Sequence, residues 1–235
     1  MKWQKCFDCG QGFHGAVEVA LGWACWKMYL GRPETAFLRC QALGILGRSL
    51  RLPRPEEALP VLEANLALTR RYWSHDREVI LTAQSTLANC YASLERDDEA
   101  LVLLRANYAS WVTFRGTANE STIASALNLC VGLNVIGHLD EAVTLLRSTL
   151  KEAQRVLGFG NASTLKVVGF LATTIISDRS SSSFEEILEV GALVNEHFDT
   201  VRRIFGVGHP LTQQFSTLSG DILAKLKTFP ESAGH

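Results

Sequence analysis

The chain has 235 residues, 47% of them hydrophobic and 20% charged, the balance of a globular protein that buries a real core. Its 23 Lys and Arg against 24 Asp and Glu leave a net charge of −1, so no overall field exists to hold nucleic acid or an anionic membrane surface. Six cysteines spread through a chain with no secretory signature point to reduced thiols and an intracellular setting, cytoplasmic or organellar.

Near the start, Cys6 and Cys9 form a single CxxC. A structural zinc site needs about four ligands in a tetrahedral array, and no second CxxC follows. His14 and Cys25 would complete a set, but Cys25 falls inside an apolar helical stretch. The pair is a candidate zinc half-site or an orphan remnant, and no other cofactor is expected. Next comes Ala16–Leu30, the most apolar stretch, which is too short to span a bilayer and too charged, with Glu18 and Lys27 inside it. It lacks a cleavage site after an uninterrupted apolar run, and so reads as a helix of the fold.

From there on, apolar residues recur at three- and four-residue spacings, one stripe per segment, with polar breaks between. The spacing predicts ten helices: Ala16–Leu30, Glu34–Leu50, Glu56–Arg71, Glu78–Leu94, Asp98–Phe114, Ser121–Ile136, Asp140–Leu157, Ser163–Ser177, Glu185–Phe205 and Pro210–Phe229. Pro33, Pro55 and Pro210 suit helix starts, where a missing N–H costs nothing. Gly31, Gly116 and Gly158 suit stops, and Asn119 and Asn161 suit N-caps.

The helices repeat. Glu57-Ala58, Glu99-Ala100 and Glu141-Ala142 recur at one fixed interval, and Leu62, Leu104 and Leu146 keep the same interval. It also relates Gly116 to Gly158, Asn119 to Asn161 and Thr122 to Thr164. A strict period marks stacked supersecondary units, each too small to bury its own apolar faces and stable only against its neighbours. A fourth copy is stretched: Glu189-Val190 and Gly206 follow Glu141-Ala142 and Gly158 by one period plus six further positions. The six extra residues fall in the serine-rich "SDRSSSSFEE", where they would lengthen the turn between two helices; Ser180–Ser183 within it is a candidate phosphorylation site or a plain flexible loop.

The segments "LANCYASLERDDEA" and "LNLCVGLNVIGHLDEA" resemble tetratricopeptide repeats in the 42-residue form found in kinesin light chains. The resemblance covers about residues 41–226. It places the family's small first-helix residue on Ala88, Cys130 and Ala172, its aromatic on Tyr91, and its second-helix alanine on Ala58, Ala100 and Ala142. Pro53 and Glu95 stand where Gly137 follows the pattern at the turn, and Val190 replaces the alanine. The opening "WQKCFDCGQGFHGAVEVALGWACW" resembles the junction in algal and protist proteins where a zinc finger precedes such repeats.

The resemblance implies an all-α, right-handed superhelix, an α-solenoid of about four helix pairs plus an N-terminal helix and a C-terminal capping helix. Residues 1–32 form the CxxC segment and first helix, 33–229 the solenoid, and 230–235 a flexible tail. Copies fall at about 34–75, 76–117, 118–159 and 160–209, with the capping helix at 210–229.

In the family the first helix of each pair lines a concave groove. This implies a binding surface of Ser85, Asn89, Ala92 and Ser93 from one copy and Leu127, Val131, Asn134 and Val135 from the next. Leu43 and Gly47 flank it on one side, and Lys166, Thr173 and Ile176 on the other. Lys166 and Arg51 are its cations, too few to clasp an acidic tail. An uncharged extended segment or a helix of a protein partner is the expected occupant.

None of GxGxxG after a strand, GxxxxGK, HExxH or GxSxG occurs, so the common nucleotide, metalloprotease and hydrolase signatures are missing. The expected role is therefore a scaffold or adaptor, not an enzyme. Two other readings stay open: a permanent subunit of a large assembly, and the substrate-recognition part of a zinc-finger ligase-like protein.

Overall fold

The structure, a computed structural model, describes residues 15–177 and 182–229. Among these residues every regular element is a helix: α1 (Gly15–Tyr29), α2 (Phe37–Leu50), α3 (Pro55–Tyr72), α4 (Arg77–Ser93), α5 (Asp97–Arg115), α6 (Glu120–Val135), α7 (Leu139–Leu157), α8 (Ala162–Ser177), α9 (Phe184–Phe205) and α10 (Pro210–Leu226). The chain divides into two compact units inside α5, between Ser110 and Trp111. Cys6, Cys9 and the tail at 230–235 lie outside the described residues.

Most helix ends agree with the sequence pattern to within a residue or two. α2 is the exception at its start. Pro33 begins a turn closed by the Ala36 N–H donating to the Pro33 carbonyl at 2.9 Å, and Ala36 is extended (φ −78°, ψ 115°), so the helix opens only at Phe37. At the other end of the chain α10 stops at Leu226, where three-residue turns take over.

The caps explain the register. Asn119 Oδ1 accepts from the Ser121 N–H at 3.0 Å and Asn161 Oδ1 from the Ser163 N–H at 2.7 Å, satisfying otherwise orphaned first-turn donors. His209, the counterpart of Asn161 beyond the stretched copy, does the same with Nδ1 accepting from the Leu211 N–H at 3.1 Å.

The six extra residues of the fourth copy are shared between loop and helix. Three residues join α4 to α5 and α6 to α7, whereas six join α8 to α9. The other three lengthen α9, which has 22 residues against 19 in α7. The added turn starts at Ser183, which accepts from the Glu186 N–H while the Glu186 carboxylate accepts from the Ser183 N–H. This reciprocal cap starts the helix at Phe184, one residue ahead of the expected Glu185.

The short α4–α5 and α6–α7 turns are one motif. His138 N–H donates to the Leu133 carbonyl (2.8 Å) around Gly137 at φ 80°; Arg96 N–H donates to the Tyr91 carbonyl (2.9 Å) around Glu95 at φ 58°. Glu95 thus carries a side chain in a left-handed conformation that its counterpart fills with glycine.

Packing follows the period. Ala58, Ala100, Ala142 and Val190 are buried, as are Leu62, Leu104 and Leu146, and Ala88, Cys130 and Ala172 are fully enclosed. Small residues let the two helices of a pair approach: the Cys130 thiol sits 3.7 Å from the Ala142 carbonyl. A polar rung also recurs in the second helices. Asn65 donates to the Cys40 carbonyl (2.8 Å) and Asn107 to the Leu81 carbonyl (2.7 Å), each reaching the first helix of its pair, and Thr149 and His197 are buried at the same repeat position.

Candidate protein-binding surface

In the N-terminal unit, α2 and α4 flank a recess of about 360 Å³ with α3 behind it. Its back wall is self-satisfied: Thr69 Oγ1 donates to the Asn65 carbonyl while Asn65 bonds Cys40. Gln41 and Arg48 line it from α2, and Glu78, Thr82 and Thr86 from α4. Arg48 keeps solvent contact, yet protein crowds its head group enough that desolvation lowers its pKa, with Glu18 opposing the shift. Arg51 is engaged, donating to Ser93 Oγ at 3.1 Å.

Of the residues that the pattern assigns to this surface, Ser85 and Asn89 are half-buried and Ala92 is exposed on α4. Leu43 and Gly47 face inward. A Cβ on Gly47 would stand 2.5 Å from the Leu62 side chain, so that face of α2 is the contact with α3. The outward stripe of α2 lies one step round, at Gln41 and Arg48, and sequence reasoning missed both.

In the C-terminal unit, α6 presents Val131 and Val135, 45% and 60% exposed. Asn134 between them donates from Nδ2 to Thr174 Oγ1 (2.8 Å), tying α6 to α8. Its Oδ1 is buried and has no hydrogen-bond partner among the described residues. Lys166 and Thr173 are exposed on α8, Thr173 Oγ1 donating to the Gly169 carbonyl. Leu127, only 7% exposed, belongs to the packing beneath this face, and the outward stripe runs through Ala124, Asn128, Val131 and Val135.

The described cysteines, Cys25, Cys40, Cys90 and Cys130, are buried free thiols. Burial raises the pKa of each, and that of Cys130 to about 12, with the Glu141 charge adding to the shift, so thiolate is scarce at neutral pH. Among the described residues no group of three or more His, Cys, Asp or Glu is placed to hold a metal ion, and no helix is long and apolar enough to cross a membrane.

No family model and no curated protein matches the sequence. Solved structures do. A Podosopora anserina kinesin light chain protein with nearly identical TPR-like repeats superimposes with a TM-score of 0.62 at 19% identity, covering 84% of this chain and 98% of that one. BtubC (BKLC) from P. vanneervenii gives 0.60 at 12% identity, over 93% of this chain and 94% of that chain. Rap protein, solved in complex with Competence and Sporulation Factor, gives 0.52 at 15% identity, over 90% of this chain and 59% of that one. The chain has the tetratricopeptide-repeat fold. α2, α4, α6, α8 and α10 are then the first helices of successive repeats, and α3, α5, α7 and α9 the second. Both candidate faces belong to first helices.

Proposed function

We propose that the protein is a non-enzymatic interaction scaffold that holds an uncharged extended segment or a helix of a protein partner against the outward faces of its first helices. The observation that carries this is the α6 face. Val131 and Val135, exposed on either side of Asn134, make an uncharged apolar strip that an extended segment or a helix can cover. Lys166 and Arg48 are the cations of these faces, one in each unit, which disfavours an acidic tail. Rap, which shares the fold, is solved in complex with Competence and Sporulation Factor, and that supports a ligand-holding role for such helices. A preformed surface of this kind leaves most of the ordering cost to the partner.

Val131→Asp with Val135→Lys places charge on the exposed face without touching the core. Capture of the partner should be lost while helicity is unchanged; undiminished capture would refute the placement. The zinc-finger reading is tested separately by elemental analysis: zinc that disappears on Cys6→Ser supports it, and metal-free wild-type protein rules it out for this chain.

A further inference from the structure

The buried seam of a second helix is the same in α3 and α7: Ala58, Leu62, Asn65, Leu66 and Thr69 in one, Ala142, Leu146, Thr149, Leu150 and Ala153 in the other. Carried back from α3 by one repeat, these five positions fall on Ala16, Ala20, Trp23, Ala24 and Lys27 of α1, and all five are exposed. α1 is therefore a second helix, packed on α2 by its other side, whose own first helix is not among the described residues. Val17 and Met28, 55% and 58% exposed, extend the apolar strip at either end.

α10 shows the converse. The buried seam of a first helix, Ile123, Ala126, Leu127, Cys130 and Leu133 in α6, corresponds to Gln213, Ser216, Thr217, Gly220 and Leu223 of α10, and all of these are exposed. Two recesses run beside them along the α9–α10 pair. One of about 410 Å³ lies next to Gln213, Ser216 and Thr217; one of about 310 Å³, lined almost wholly by apolar atoms, lies between Leu188, Ala192 and Leu223. α10 is a first helix whose second helix is not among the described residues.

We propose that these half-pairs complete each other between two copies of this chain, α1 of one copy lying in the α9–α10 groove of the next as the second helix of the α10 repeat. The register fits at the closest approach. Cys130 meets Ala142 inside the α6–α7 pair, and the equivalent residues at the junction are Gly220 and Ala16, small on both sides. The rung position also fits: Asn65 and Asn107 donate there to a first-helix carbonyl, and Trp23 carries an indole N–H at that place, with the larger recess beside Gln213 to take its ring. Such a contact is head-to-tail, so one copy keeps a free α1 and another a free groove.

The test uses Ala16→Arg, which blocks the α1 seam, and Gly220→Arg, which blocks the groove. Both positions are exposed and a side chain at residue 220 meets nothing within 4 Å, so both variants should fold, as circular dichroism would check. Light scattering after size exclusion should show the wild-type mass rising to twice the monomer or more with concentration, each variant monomeric alone, and an equimolar mixture of the two stopping at the mass of a dimer. Wild-type protein that stays monomeric overturns the proposal. So does a variant that dimerises by itself, since that is a two-fold contact through one seam, or a mixture that stays monomeric.

Discussion

Replacing Glu95 with glycine should stabilise the protein. Glu95 sits at φ 58° in a turn whose counterpart, one repeat further on, is Gly137 at φ 80°. A side chain in the left-handed region costs about 1–2 kcal/mol, while a glycine gives back roughly 0.5–1 kcal/mol through the greater freedom of the unfolded chain. The balance is a gain of about 0.5–1 kcal/mol for Glu95→Gly, because the Arg96–Tyr91 backbone bond at 2.9 Å needs no side chain at residue 95. Gly137→Ala should lose a similar amount, since the His138–Leu133 bond keeps the same turn. Urea unfolding followed by circular dichroism reads both as opposite shifts of the midpoint. A midpoint lowered by Glu95→Gly, with native helicity intact, would refute the equivalence of the two turns and with it the strain assigned to Glu95.

Leu146→Ala, in a fully buried seam, should cost about 2–5 kcal/mol, measured by the same unfolding curve. Asn107→Ala removes the bond to the Leu81 carbonyl and should cost about 1–2 kcal/mol, more than an exposed change such as Val102→Ala. Arg147 holds Glu189 through two bonds of 2.6 and 3.0 Å and lowers its pKa, chiefly by hydrogen bonding; in this exposed setting the pair is worth under about 1 kcal/mol. Because the folded pKa of Glu189 is depressed, that contribution is present above the ordinary carboxylate pKa and fades as pH falls through the folded value. The difference between wild type and Arg147→Ala should therefore shrink in acid and in high salt. Cys130 should resist alkylation at pH 8 in the folded protein and react on unfolding, as mass spectrometry would show.

The period and the helix pairs were legible because they rest on local chemistry: small residues where helices cross, asparagines that cap, glycines that stop. Which way a first helix faces was not. α6 buries eight of its 16 residues, including Ile123, Leu127 and Leu133, because neighbours lie on several sides, so its apolar pattern points in no single direction. That is why Leu43, Gly47 and Leu127 read as surface and Arg48 went unnoticed. The polar rung at Asn65 and Asn107 was hidden for the opposite reason, since a polar residue on a helix reads as solvated until a carbonyl is found opposite it. The start of α9 was legible to within one residue, whereas the sharing of the six extra residues between turn and helix was not, because it rests on the reciprocal Ser183–Glu186 cap.

The most direct test of the scaffold role is site-specific photocrosslinking in cells of the native organism. A photoreactive residue would be placed at Thr82 or Val131 on first helices, and at Val102 or Val156, exposed on second helices. Each of the first pair should yield a discrete crosslinked protein, and the product from residue 131 should disappear with Val135→Lys in the same chain. Equal crosslinking from Val102 and Val156, or none from Thr82 and Val131, would contradict a role for the first-helix faces.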